Sequence, residues 1–262
     1  MPKAPVNGVD IYYEVEGAAD RPWLTFSNSL RTDHTMWSPQ IPAFASDFRI
    51  LRYDVRGHGQ SGHASGKYSA DLLCRDLIGL WDYLGIGRSH FVGLSLGGMT
   101  GMRLGMQFAH RIDKLVICDC RGDSPPAIVE TWAKRCEAVQ AGGCLVLVEE
   151  SVNSWFSAEQ RVQQADFIAA IGRSIAETSA EGYIGCASGI LSELDMAERI
   201  TQIKPQTLFL VGSKDGPHPT LMRSMHEGLR GSDFVVIEGG THLANLSHPV
   251  EFNAAVRTFL MR

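Results

Sequence analysis

Residues 89–99 read SHFVGLSLGGM, and this stretch decides the fold. A short apolar run, Ser89 to Val92, leads into Gly93-Leu94-Ser95-Leu96-Gly97. A helical pattern follows, with Met102, Leu104, Met106 and Phe108 as its apolar positions. A strand that turns through Gly-x-Ser-x-Gly into a helix is a nucleophile elbow. The turn holds its serine in a strained backbone conformation, and the neighbouring glycines remove side chains that would clash there. Ser95 Oγ is thereby lifted clear of the sheet, with the positive end of the next helix aimed at it.

A serine hydroxyl is a weak nucleophile at neutral pH, so the elbow calls for a base and an acid, which in this architecture follow in the order Ser, acid, His. Residues 206–211, QTLFLV, read as a fully buried strand and are followed by Gly212-Ser213-Lys214-Asp215. Residues 233–238, DFVVIE, read as another buried strand, followed by Gly239-Gly240-Thr241-His242. Both candidates fall just past the C-terminal ends of strands, where open α/β sheets place their sites. Ser95 leaves its own strand at the same edge. Taken singly, Asp215 beside Gly216-Pro217 is a turn former and His242 a loop histidine. Chain order and the shared rim make them a catalytic triad with Ser95. Asp119, at the end of the strand IDKLVIC (112–118), is an alternative acid. Asp215 is the preferred one, and Asn substitution of each separates them.

The composition excludes several classes. A chain of 262 residues suits one α/β domain with an insertion, and 44% hydrophobic residues suit a globular protein. No apolar run approaches the ~20 residues of a bilayer span, and the N-terminus lacks the apolar core of a signal peptide. A formal charge of −5 offers no basic stripe for nucleic acid. The six cysteines are scattered, with neither Cys-x-x-Cys nor paired His spacing. That usage predicts buried thiols in a reducing compartment, without disulfides or a metal site. The expectation is a cytoplasmic protein that needs no cofactor and has no nucleic-acid or membrane partner; monomer and homodimer both stay open.

Residues 9–16 alternate as an exposed antiparallel strand, 23–26 and 48–53 read as strands, and 69–84 carry Leu72, Leu73, Leu77, Leu80, Trp81 and Leu84 at helical spacing. Strands and helices then alternate to a closing helix over 249–261. This is the rhythm of a doubly wound, mostly parallel sheet. Between Asp119 and about Asp195 the rhythm stops, and a helical pattern carries Trp132, Trp155, Phe156, Phe167 and Tyr183. The expected organisation is a core of 1–120 and 196–262 with a helical cap, 121–195, inserted after the sixth strand. Such a cap excludes water and forms the upper wall for substrate. Trp132 and Trp155 are candidate wall residues.

Acyl chemistry requires donors where negative charge develops. One is the N–H of Leu96, after the nucleophile. The other comes from the loop after strand 23–26, Ser27-Asn28-Ser29-Leu30-Arg31, with Leu30 N–H as the candidate.

Ser27-Asn28-Ser29-Leu30, Met36-Trp37, LRYDVRGHGQS (51–61), GLSLGG (93–98), Trp155-Phe156 and His242-Leu243-Ala244-Asn245 together resemble the 3-oxoadipate enol-lactonases, a family of α/β-hydrolases. The resemblance runs over essentially the whole chain and is densest before residue 110. It implies an α/β-hydrolase fold and a serine hydrolase that opens a small, anionic lactone through an acyl-enzyme, as in aromatic-compound catabolism. A carboxylesterase, a C–C bond hydrolase and a triad-bearing receptor are the alternatives. The chain departs from the family at Arg31, where a Gly is usual, and at Asp119-Cys120, where Asn-Thr is usual. Arg31 and Arg121 are candidates to hold a substrate carboxylate. The competing reading pairs these arginines with Asp33 or Asp123 at the surface.

Overall fold

A computed structural model describes residues 2–262. Eight strands form one sheet in the order β1-β2-β4-β3-β5-β6-β7-β8. They are β1 (Lys3–Val6), β2 (Val9–Glu16), β3 (Trp23–Ser27), β4 (Arg49–Tyr53), β5 (Ser89–Leu94), β6 (Ile112–Cys118), β7 (Gln206–Gly212) and β8 (Asp233–Ile237). β1 and β2 form an antiparallel hairpin, and β2 runs antiparallel to β4. From β4 to β8 the pairing is parallel. The sequence pattern left β1 undetected. Its turn is nonetheless local: Asn7 and Gly8 have φ of 46° and 80°, the left-handed pair that a tight hairpin needs.

The parallel register is what builds the rim. Ser27 pairs with Gly93, Leu94 with Cys118, Cys118 with Leu210, and Gly212 with Ile237. The strand ends therefore stand in line, and the loops that follow them emerge at one edge. β5, β6 and β7 are buried on both faces, which explains their unbroken apolar runs. β8 departs from the expectation of a buried strand. As the last strand of the sheet it is half-exposed, with Val236 open to solvent. Apolar content alone does not distinguish an edge from a centre.

Helices α1 (Ile41–Phe44), α2 (Ala70–Tyr83) and α3 (Leu96–Gln107) precede β6. In α2, Leu73, Cys74, Leu77, Leu80 and Trp81 form the buried stripe, and the Ser69 hydroxyl caps the helix by accepting from Leu72 N–H at 3.2 Å. Between β6 and β7 lies a helical insertion of α4 (Pro126–Gly142), α5 (Val148–Trp155), α6 (Ala158–Gln163), α7 (Ala165–Glu177) and α8 (Ala180–Ser188). Its two ends meet at the sheet edge. Asp123 bridges to Asp195, and Ala197 N–H donates to Gly122 O at 2.8 Å. Helices α9 (His218–Gly228), α10 (Ala244–Ser247) and α11 (Pro249–Leu260) complete the fold. No helix among the described residues is long and apolar enough to cross a membrane.

The loop after β4 ties core to insertion. Arg56 reaches Asp76 of α2 through two bonds of 2.7 Å. Gly57 has φ of 78°, and a Cβ there would stand 2.3 Å from the Gly182 Cα of α8. Only glycine permits both the conformation and the approach.

Candidate active site

The elbow is built as its sequence demands. Ser95 has φ of 55° and ψ of −111°, between β5 and α3. A Cβ on Gly93 would meet Gly97 O at 2.2 Å, and one on Gly97 would meet Ser27 O at 2.2 Å. Both glycines are thus required by backbone contact. Arg31 and Asp119 also carry left-handed φ, of 71° and 45°, so three strained non-glycine residues surround one site.

His242 Nδ1 lies 2.9 Å from Asp215 Oδ2. His218, on the first turn of α9, brings a second imidazole to the same carboxylate, its Nδ1 at 3.2 Å from Oδ2. Burial works against the Asp215 anion, but the charges and hydrogen bonds of His242 and His218 outweigh it and hold its pKa well below the usual carboxylate range. Ser95, Asp215, His218 and His242 all line a cavity of about 390 Å³. Asp119 does not pair with His242. It is fully buried behind Asp215, where its Oδ1 accepts the Gly212 N–H at 2.8 Å.

Leu30 lines the same cavity. Asn28 shapes its loop, donating to the carbonyl of Ser29 at 3.2 Å, while Thr32 Oγ1 donates to that carbonyl at 2.8 Å. No protein acceptor among the described residues takes the Leu30 N–H. Leu96 opens α3, and the N–H groups of a helix's first turn have no intrahelical partner. Both expected donors are therefore available.

The insertion supplies the facing wall through Trp132, Arg135, Ser154 and Trp155. Trp155 is buried and stacks on the His242 ring with centroids 6.2 Å apart. Phe156 is buried in the core and does not line the cavity. Arg31 is only 7% exposed and lines the cavity, its Nη1 donating to Ser151 Oγ at 2.7 Å. It has no carboxylate partner among the described residues, and its Nε is buried without an acceptor. The competing pairing with Asp33 is absent, and Asp33 instead caps residues 34–40 by accepting from Thr35 N–H at 2.8 Å. Arg121 does pair with Asp123, at 2.8 Å, while also lining the cavity.

Arg135, His218 and Lys214 were not singled out in the sequence. Arg135 stands one helical turn after Trp132, and His218 follows Asp215 by the same spacing, so both signals were local. Two clusters, Asp215–His218–His242 and Asp33–His34–Asp54, have donor atoms close enough for a cation. In the first, one carboxylate oxygen already serves both imidazoles, and Arg31 and Lys214 line the same cavity without a carboxylate partner among the described residues, whereas Arg121 and Arg135 pair with Asp123 and Glu150. That surrounding charge opposes a divalent ion and favours an anion.

A strand-turn-helix serine, with an acid after β7 and a histidine after β8 on one rim, defines a class as well as a geometry. The model of the Alpha/beta hydrolase family matches residues 23–255, and the chain belongs to that family. It is similar to 3-oxoadipate enol-lactonase 2 of Acinetobacter baylyi, 32% identical over 97% of this chain and 94% of the relative. The enol-lactonase of Burkholderia xenovorans LB400 superposes with a TM-score of 0.94 at 32% identity, covering 100% of both chains. A malate-bound thermophilic esterase from Thermogutta terrifontis superposes with a TM-score of 0.91 at 25% identity, covering 99% of this chain and 97% of its own.

Proposed function

We propose that the protein is a serine hydrolase that opens a small anionic lactone of the 3-oxoadipate enol-lactone kind. The observation that carries this reading is the Arg31 guanidinium, buried without a counter-ion in the wall of the cavity that holds Ser95. An unpaired buried charge is costly, and a bound carboxylate relieves that cost with planar, two-toothed geometry. The enol-lactonase relatives and the malate-bound esterase support a substrate bearing a carboxylate.

In the mechanism, His242 takes the Ser95 proton as Oγ attacks the lactone carbonyl, and Asp215 holds the imidazole and stabilises its charged form. The N–H groups of Leu30 and Leu96 receive the developing oxyanion. Collapse of the tetrahedral intermediate breaks the ring C–O bond, and His242 returns the proton to the leaving oxygen. Ring opening keeps that leaving group tethered to the acyl-enzyme. A water deprotonated by His242 then releases the ring-opened acid. The helical stretch 121–195 acts as the lid, with Trp132 and Trp155 excluding water above Ser95.

The test is kcat/KM for 3-oxoadipate enol-lactone beside a neutral butyrolactone and an aryl ester, with Ser95→Ala as control. A preference of ~100-fold or more for the enol-lactone, nearly 3 kcal/mol in transition-state binding, is expected. Equal or better turnover of a neutral ester overturns the lactone and keeps the hydrolase. Full turnover by Ser95→Ala overturns the mechanism.

A further inference from the structure

Asp119 is fully buried at the end of β6, and the mechanism above gives it no task. Its backbone N–H and its carboxyl are each held by β7. The Asp119 N–H donates to Leu210 O at 3.0 Å, and Oδ1 accepts the Gly212 N–H at 2.8 Å. The same Gly212 accepts the Asp215 N–H at 3.1 Å through its carbonyl, so one β7 residue holds both aspartates. Oδ2 of Asp119 is buried with no hydrogen-bond partner, and the shared hold on Gly212 keeps the carboxyl close enough to Asp215 to feel its charge.

Two carboxylates held close together away from water do not both stay charged. The surroundings decide which one gives way. Asp215 faces two imidazole Nδ1 atoms, those of His242 and His218. Asp119 faces one backbone N–H and the negative charge of Asp215; its chain neighbours Cys118 and Cys120 are buried thiols that burial keeps neutral. Burial first, and the Asp215 charge second, raise the Asp119 pKa well above the carboxylate range. A proton on Oδ2 also gives that orphaned oxygen a bond to make.

We propose that Asp119 is a neutral carboxylic acid whose Oδ2–H donates to the Asp215 carboxylate, making it a positioning residue that holds Asp215 toward His242. This rests on Asp215 being the triad acid. It explains how a second aspartate is tolerated behind an anionic one: the Asp119 side chain supplies a donor. An Asn amide at this position supplies a donor too.

Infrared difference spectra of Asp119→Asn against wild type at neutral pH read the protonation state directly, without substrate. A protonated-carboxyl C=O band is expected in wild type and in Ser95→Ala, and is expected to vanish in Asp119→Asn. In turnover, Asp119→Asn is expected to keep kcat within ~3-fold, while Asp119→Ala, which leaves no donor, loses ~10–100-fold in kcat at unchanged KM. Absence of the band in wild type, or its persistence in Asp119→Asn, overturns the proposal. So does a folded Asp119→Ala with wild-type kcat. A loss in Asp119→Asn as deep as in Asp215→Asn also overturns it, by making Asp119 an ionised acid. If Asp119→Ala does not fold, the infrared band and Asp119→Asn still decide. If the hydrolase reading itself fails, Ser95→Ala keeps its turnover while the band is unaffected.

Discussion

The guanidinium carbon of Arg31 lies 4.8 Å from the centroid of the Trp155 ring, which also stacks on the catalytic candidate His242. A residue of the loop after β3 is thereby gripped by α5 of the insertion, and a cationic group is held at the cavity wall by cation–π contact and by Ser151.

Replacing Arg31 tests what that charge is for. Arg31→Met is expected to lower kcat/KM for the anionic lactone ~10–100-fold and for a neutral ester by less than ~3-fold. Arg31→Lys restores charge without the planar fork and is expected to fall between. Paired steady-state assays on the two substrates check this; equal losses on both show that Arg31 only supports the loop.

Asp215→Asn is expected to cut kcat by about 10³–10⁴-fold with the fold intact, because an amide no longer stabilises the charged imidazole or selects its tautomer. Single-turnover kinetics with circular dichroism as the fold control measure it.

Gly97→Ala places a Cβ 2.2 Å from Ser27 O, where β3 enters the oxyanion loop. Relief requires backbone movement, so a loss of ~1–3 kcal/mol in a urea unfolding series is expected. Because Leu30 follows Ser27 in that loop, kcat is expected to fall along with stability.

His34 couples stability to pH away from the cavity. Its Nδ1 lies 2.8 Å from Asp54 Oδ1 and its Nε2 3.3 Å from Glu14. Burial disfavours the cation, but the hydrogen bond and charge of Asp54, with Asp33 and Glu14, outweigh it and raise the pKa. The stabilisation is fully present below the unfolded value of about 6.5 and is lost as pH rises through the higher folded value. The melting temperature is expected to fall as the pH rises above about 6.5, and to fall less in His34→Asn. An identical decline in both proteins removes His34 as the cause.

Much of the fold was legible because its signals are local. Apolar runs over 112–118 and 206–211 are strands buried on both faces, and Gly93 and Gly97 bracket a serine at φ of 55°. The sheet edge was not legible in the same way, since β8 is as apolar in pattern as the central strands and lacks only a neighbour. The cap pattern likewise points to Trp132 and Trp155, and the departures from the lactonase resemblance point to Arg31 and Arg121, with Asp33 and Asp123 left open as partners of the arginines. All four line the cavity, yet Arg121 is neutralised by Asp123 and Arg31 is not.

The amino-acid sequence by itself determined the strand–turn–helix serine, the chain order of Ser95, Asp215 and His242, and their positions just past strand ends. These depend on backbone preference and on spacing along the chain. Only the tertiary structure decided which carboxylate serves His242, which arginine keeps a free charge and that both indoles of the insertion, Trp132 and Trp155, line the cavity. Asp119 and Gly212 are 93 positions apart, and Arg31 and Ser151 are 120 apart. Contacts of that kind arise from sheet register and from the docking of the insertion. No local pattern carries them, because a side chain's partner is set by what folds against it.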